Sequence, residues 1–203
     1  MMLFRKICRA LMPRCALVYF LTIGILKLNC VTAKRTSEQS TLYPKLVIFH
    51  LDRVIWKFTI DDVDRDAHRN ATTNIVTDDS GRVLEVYANT IDVLKTLTSQ
   101  RIKLGAISLS PNIELVDRLM YLLHLDKVIM FQEFFYGSKV NHIERIKRMC
   151  DIPYSEILYF DYTDHGFAGI EERGILPMKI EGENGLTLSE VERGFKKYRE
   201  HVE

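Results

Sequence analysis

A chain of 203 residues, 47% hydrophobic and 27% charged, has the length of one ordinary domain plus a short appendage. Its 28 Lys and Arg against 27 Asp and Glu leave a formal net charge of +1, which gives no uniformly basic surface and argues against nucleic acid or an anionic membrane as the main partner. Three of the four cysteines, Cys8, Cys15 and Cys30, stand near the N-terminus and only Cys150 lies in the body, so neither a disulfide framework nor a zinc-ligand cluster can be built there.

No acidic residue precedes Glu38, and Arg5, Lys6, Arg9 and Arg14 precede an apolar run from Cys15 to Leu26. That stretch is too short to span a bilayer comfortably, and residues 1–33 read as a signal-peptide-like leader. Val31 and Ala33 offer the small residues that a signal peptidase accepts, so cleavage is expected after Ala33, with residues 34–43 as a linker and 44–203 as the body. An uncleaved anchor and a mitochondrial presequence fit the same composition. Secretory entry would place the protein outside the cell and make Asn70-Ala71-Thr72 a glycosylation acceptor; membrane contact is expected only through an uncleaved leader.

From Lys45 onward, short apolar runs alternate with stretches of helical period, the pattern of a parallel sheet covered by helices, and the fold class is therefore α/β. The first strand is expected over residues 45–50, ending in His50-Leu51-Asp52. Residues 57–87, rich in Asp, Asn, Thr and Arg, read as an insertion or small hairpin cap beside it. A second major strand over 102–108 ends in Ser108-Leu109-Ser110. Ser110 and Pro111 then form an N-cap and first helical position, leading into Ile113, Val116, Leu119, Met120 and Leu123 on one face. Strands follow at 127–131, 156–160 and 175–180. Gly137-Ser138-Lys139 opens a helix between the first two of these, and Asp161-Tyr162-Thr163-Asp164 closes the strand at 156–160. Thr187 with Glu190 forms a capping box for a last helix whose buried stripe is Leu188, Val191, Phe195 and Tyr198.

Ligands of open parallel sheets collect outside the carboxyl ends of the strands, and here those ends carry hydroxyls, carboxylates and one lysine. Their order resembles the haloacid dehalogenase superfamily, and within it the magnesium-dependent phosphatase 1 family. The likeness rests on Pro44-Lys45-Leu46 leading to Leu51-Asp52 and Trp56, on Gly137-Ser138-Lys139, and on Ile152-Pro153 before Phe160-Asp161. It covers residues 44–195.

This resemblance implies a Rossmann-like sheet and a phosphatase site. In the family two carboxylates stand two residues apart on the first strand; the first attacks phosphorus and the second moves the proton. Here the first position is His50 and the second Asp52. Ser108 and Lys139 match the phosphate-binding hydroxyl and lysine, and Asp161 matches a metal ligand, with Tyr162 where the family has a second aspartate. Arg53 reads as a solvated side chain adding positive charge near the phosphate. The implied cofactor is Mg2+, but His50 and Tyr162 each replace a carboxylate and argue against its binding here. A set of His50, Asp161 and Asp164 would suit zinc or manganese instead. The expectation is a catalytically impaired pseudophosphatase with a phosphate-binding pocket, its partner a small phosphorylated ligand or a phosphoprotein. The alternative is an active phosphomonoesterase or protein-tyrosine phosphatase of the family.

Overall fold

The computed structural model describes residues 43–202. The leader, its expected cleavage point and the linker up to residue 42 lie outside the described residues. Within them the chain runs β1 (Leu46–His50), β2 (Ala67–Arg69), β3 (Val76–Asp78), α1 (Thr90–Ser99), β4 (Lys103–Ser108), α2 (Ile113–Leu122), β5 (Phe131–Phe134), α3 (Lys139–Cys150), β6 (Ile157–Asp161), α4 (Phe167–Glu171), β7 (Leu176–Lys179) and α5 (Leu188–Val202). Five strands make one parallel sheet in the order β5-β4-β1-β6-β7, the α/β architecture that the alternation predicts.

All residues of β1 and β6 are buried, as expected of strands covered on both faces. Successive side chains point to opposite faces, and β1 shows it. Val47 and Phe49 enter a core with Val93, Leu94, Val116, Leu119 and Phe195, while Leu46 and Ile48 enter another with Ile143, Ile146 and Ile170. Helices α1, α2 and α5 therefore cover one face and α3 and α4 the other. Each such side chain contributes about 1.5–3 kcal/mol when fully buried. Helix α5 comes close to β6 at Gly194, where a Cβ would stand 2.6 Å from the Phe160 ring.

Four local expectations are corrected. The strand expected at 127–131 begins only at Phe131, because the N–H groups of Val128 and Ile129 turn back to the Leu125 carbonyl (3.0 and 2.9 Å) instead of joining the ladder. Helix α2 is capped by Asn112, whose side chain accepts from the Leu115 N–H at 3.2 Å; Ser110 instead accepts from the Asn112 N–H at 3.1 Å and starts the turn ahead of it. In α5, Thr187 Oγ1 accepts from the Glu190 N–H (3.2 Å), but the Glu190 carboxylate is drawn to the Glu181 N–H (3.2 Å) and to Arg193, so the box closes on one side only. Leu188 is exposed, leaving Val191, Phe195 and Tyr198 as the buried stripe.

Between β1 and α1, strands β2 and β3 pair as an antiparallel hairpin. The Asp78 carboxylate ties it, accepting from the Ser80 hydroxyl (2.7 Å) and from the N–H groups of Arg82 (2.9 Å), Ser80 (3.0 Å) and Asp64 (3.2 Å). Arg118 of α2 reaches Asp66 of the hairpin segment at 2.6 Å.

Candidate active site

The register of the sheet brings the strand ends level. His50 pairs with Ile107, one residue before Ser108, and Phe49 pairs with Phe160, one residue before Asp161. His50, Ser108 and Asp161 thus end three adjacent strands with β1 in the middle, where a ligand of an open parallel sheet is expected. After β1 the chain turns tightly, with the N–H groups of Ile55, Trp56 and Val54 directed at the Leu51 carbonyl (3.0, 3.3 and 3.4 Å). This turn holds Asp52 over the strand end. Lys139, first residue of α3, arrives from the other side and places Nζ 2.7 Å from Asp161 Oδ2 while donating to the His165 carbonyl at 2.9 Å. All five residues singled out from the sequence, His50, Asp52, Ser108, Lys139 and Asp161, are buried.

Trp56 Nε1–H donates to Asp52 Oδ1 at 2.9 Å. Burial raises the Asp52 carboxyl above its ordinary value of 3.8, and the neighbouring His50 and the Trp56 bond offset this only in part. A carboxyl raised by folding binds its proton more tightly in the folded than in the unfolded chain. Its contribution to stability is therefore full below the ordinary value and is lost as pH rises through the raised one. Asp52→Asn removes the buried charge, so its melting temperature should exceed that of the wild type at pH 7 and match it near about pH 3, where both states are protonated. A gain of equal size at both pH values would show that the charge is not the cause.

Asp161 is fully buried and its oxygens are committed. Oδ2 receives Lys139 and the Tyr159 hydroxyl, and Oδ1 accepts the Thr163 N–H at 3.1 Å. Burial, reinforced by the Asp161 charge, pushes the Tyr159 phenol well up, and burial with the charges of Asp52 and Asp161 raises Tyr162. Both phenols are neutral donors at physiological pH. Magnesium takes a near-octahedral shell of oxygens at about 2.0–2.1 Å. An imidazole at His50, a carboxylate already holding three protein donors and a neutral phenol at Tyr162 do not fit it. Asp164 is exposed and turned to Lys179 at 3.4 Å, so His50, Asp161 and Asp164 do not assemble as a zinc or manganese set. Among the described residues no three His, Cys, Asp or Glu side chains gather to hold a metal.

The comparison with known proteins decides the family: residues 42–201 match the family model described as Acid Phosphatase. The chain belongs to the acid phosphatase family. Human magnesium-dependent phosphatase 1 is 30% identical over 156 residues, spanning 76% of this chain and 87% of the human protein. A haloacid dehalogenase-superfamily hydrolase from Ehrlichia chaffeensis superposes with a TM-score of 0.52 at 14% identity, covering 79% of this chain and 96% of that one. The N-terminal part of a Bacteroides fragilis protein, containing a phosphatase domain complexed with Mg, also gives 0.52 at 16% identity over 74% of this chain. This chain spans only 39% of that structure, and at these identities both likenesses show the fold alone. The human relative is magnesium-dependent by name, and the Bacteroides fragilis structure holds Mg.

Three residues of this acid phosphatase-family site escape a reading of strand ends. Tyr159 points inward from mid-strand and is two residues ahead of Asp161, so alternation puts both on one face, a signal the sequence does carry. Trp56 reaches Asp52 through the turn. His142 is fully buried, stacks on Phe135 at 3.7 Å between ring centroids, and sets its nitrogens 2.7 and 2.9 Å from the carbonyl oxygens of Ser138 and Phe135. It fastens the loop that delivers Lys139; its place on the inner face of α3 with Ile143 and Ile146 is visible in the helical period.

Proposed function

We propose that this chain is a catalytically impaired member of its family, a pseudophosphatase whose strand-end pocket holds a small phosphorylated ligand or a phosphoprotein without turning it over. The observation that carries this reading is the imidazole of His50 at the position of the family's attacking carboxylate. It is buried, and its Nδ1 has no hydrogen-bond partner among the described residues. An imidazole is neutral or cationic and offers magnesium no carboxylate oxygen, so nucleophile and metal ligand are lost together. The commitment of Asp161 to Lys139, Tyr159 and Thr163 supports the same reading and argues against magnesium binding. Binding chemistry survives better. Ser108 keeps a hydroxyl at the strand end, Lys139 keeps a cation at the start of α3, and Asp52 keeps a carboxyl.

Titration of the full chain with inorganic phosphate should give saturable binding, while p-nitrophenyl phosphate with magnesium should release no phosphate above background. Release in proportion to protein concentration would make the chain an active phosphomonoesterase. Absence of binding would leave an interaction scaffold with a decayed pocket.

A further inference from the structure

A cleft of about 550 Å3 opens beside the strand-end pocket, lined by Arg53, Lys57, Tyr87, Tyr162, Ile180 and Glu183 among others. It lies outside β1, β6 and β7, and its Tyr162 ring is 5.7 Å from the ring of His50, so it adjoins the position where the family's chemistry starts. Arg53 sits at φ 55, a left-handed conformation uncommon for residues other than glycine, which it shares among the described residues with Arg65, Asn74, Arg101, His124 and Asp151. It is exposed, and among the described residues it makes no ion pair. Its charge favours the ionised form of the Tyr87 and Tyr162 phenols, but burial and the facing carboxylates, Glu183 for Tyr87 and Asp52, Asp161 and Asp61 for Tyr162, outweigh it and leave both phenols raised.

The other cations nearby are already engaged. Lys139 is paired with Asp161, and Lys57 with Glu85 at 2.6 Å. Tyr87 is seated by Gly185, which has φ +60 and where a Cβ would lie 2.1 Å from the tyrosine ring. Only glycine there lets the ring settle as the wall of the cleft. The cleft therefore combines a guanidinium that makes no ion pair with two half-buried tyrosines and the Glu183 carboxylate, on the loops that follow β1, β3, β6 and β7.

We infer that this cleft recognises a small organic anion with a flat body: the Arg53 guanidinium grips its phosphate, phosphonate or carboxylate group while the flat portion lies against Tyr87 and Tyr162. A planar guanidinium matches such groups with two parallel N–H bonds, which a lysine cannot offer. The inference rests on the reading of these strand ends as a ligand site, and assigns the discriminating cation to Arg53 in place of Lys139.

The test uses phenylphosphonate and methylphosphonate, which share the anion, differ in the flat ring and cannot be hydrolysed at an ester. The full-length wild type should bind phenylphosphonate about tenfold tighter than methylphosphonate. Arg53→Gly suits the φ 55 backbone and should stay folded while weakening phenylphosphonate about tenfold or more; Arg53→Gln checks the same loss with a side chain kept. Tyr162→Leu should bring the two phosphonates close to equal affinity. Unchanged binding in both Arg53 variants would overturn the assignment, as would a wild type that binds neither probe or prefers neither. Turnover of an aryl phosphate by the wild type would overturn the impaired-phosphatase reading and leave the Arg53 site standing, so the two failures are told apart.

Discussion

Lys139→Met is expected to destabilise the protein by about 3–5 kcal/mol, the range for removing one partner of a buried ion pair. The Lys139 side chain is 9% exposed and that of Asp161 0%, with 2.7 Å between Nζ and Oδ2. Methionine matches the length of the lysine stem, so most of the apolar packing survives. What is lost is the only cation within 4 Å of Asp161 among the described residues. The Tyr159 hydroxyl and the Thr163 N–H still bond to the carboxylate, but two neutral donors do not replace a cation where water cannot enter. The double variant Lys139→Met with Asp161→Asn should regain much of the loss, since removing both charges leaves none unpaired and the effects of touching residues do not add. Urea unfolding of the three variants checks this. A cost below about 1 kcal/mol for Lys139→Met would mean a lysine that exchanges with water like a surface pair, free to serve a ligand.

Fold and site were legible in the sequence to different depths, for physical reasons. Residues 46–50 and 157–161 are strands covered on both faces, and such strands appear as unbroken apolar runs. The same rule misplaces β5: Val128 and Ile129 form a turn that packs into the same core as Leu125, and apolar character alone does not separate a buried turn from a buried strand. The three-residue strands of the hairpin are too short to show a period. At the site, the positions of His50, Ser108 and Asp161 followed from where strands end. The partner of Lys139 did not, because it depends on how α3 crosses the sheet. Arg53 reads in the sequence as an ordinary solvated side chain; its left-handed backbone and its place in the cleft are facts of the fold.

His50→Asp combined with Tyr162→Asp is expected to raise magnesium-dependent hydrolysis at least about a hundredfold over wild type, because loss of a nucleophile commonly costs several powers of ten in rate. The first change puts a carboxylate back at the end of β1, where it can serve both as attacking group and as a hard oxygen ligand. The second replaces a neutral phenol, whose ring stands 5.7 Å from that of His50, by a second carboxylate. Under the proposed function Asp52, two residues on, buried and with its carboxyl raised, would hand over and take back a proton. The changes act on one ion and need not be additive. The most direct measurement is phosphate release from p-nitrophenyl phosphate in saturating magnesium by wild type, His50→Ala and the double aspartate variant, side by side. The account predicts background rates for the first two and clear turnover for the third; robust wild-type turnover abolished in His50→Ala would show His50 to be a working nucleophile and contradict it.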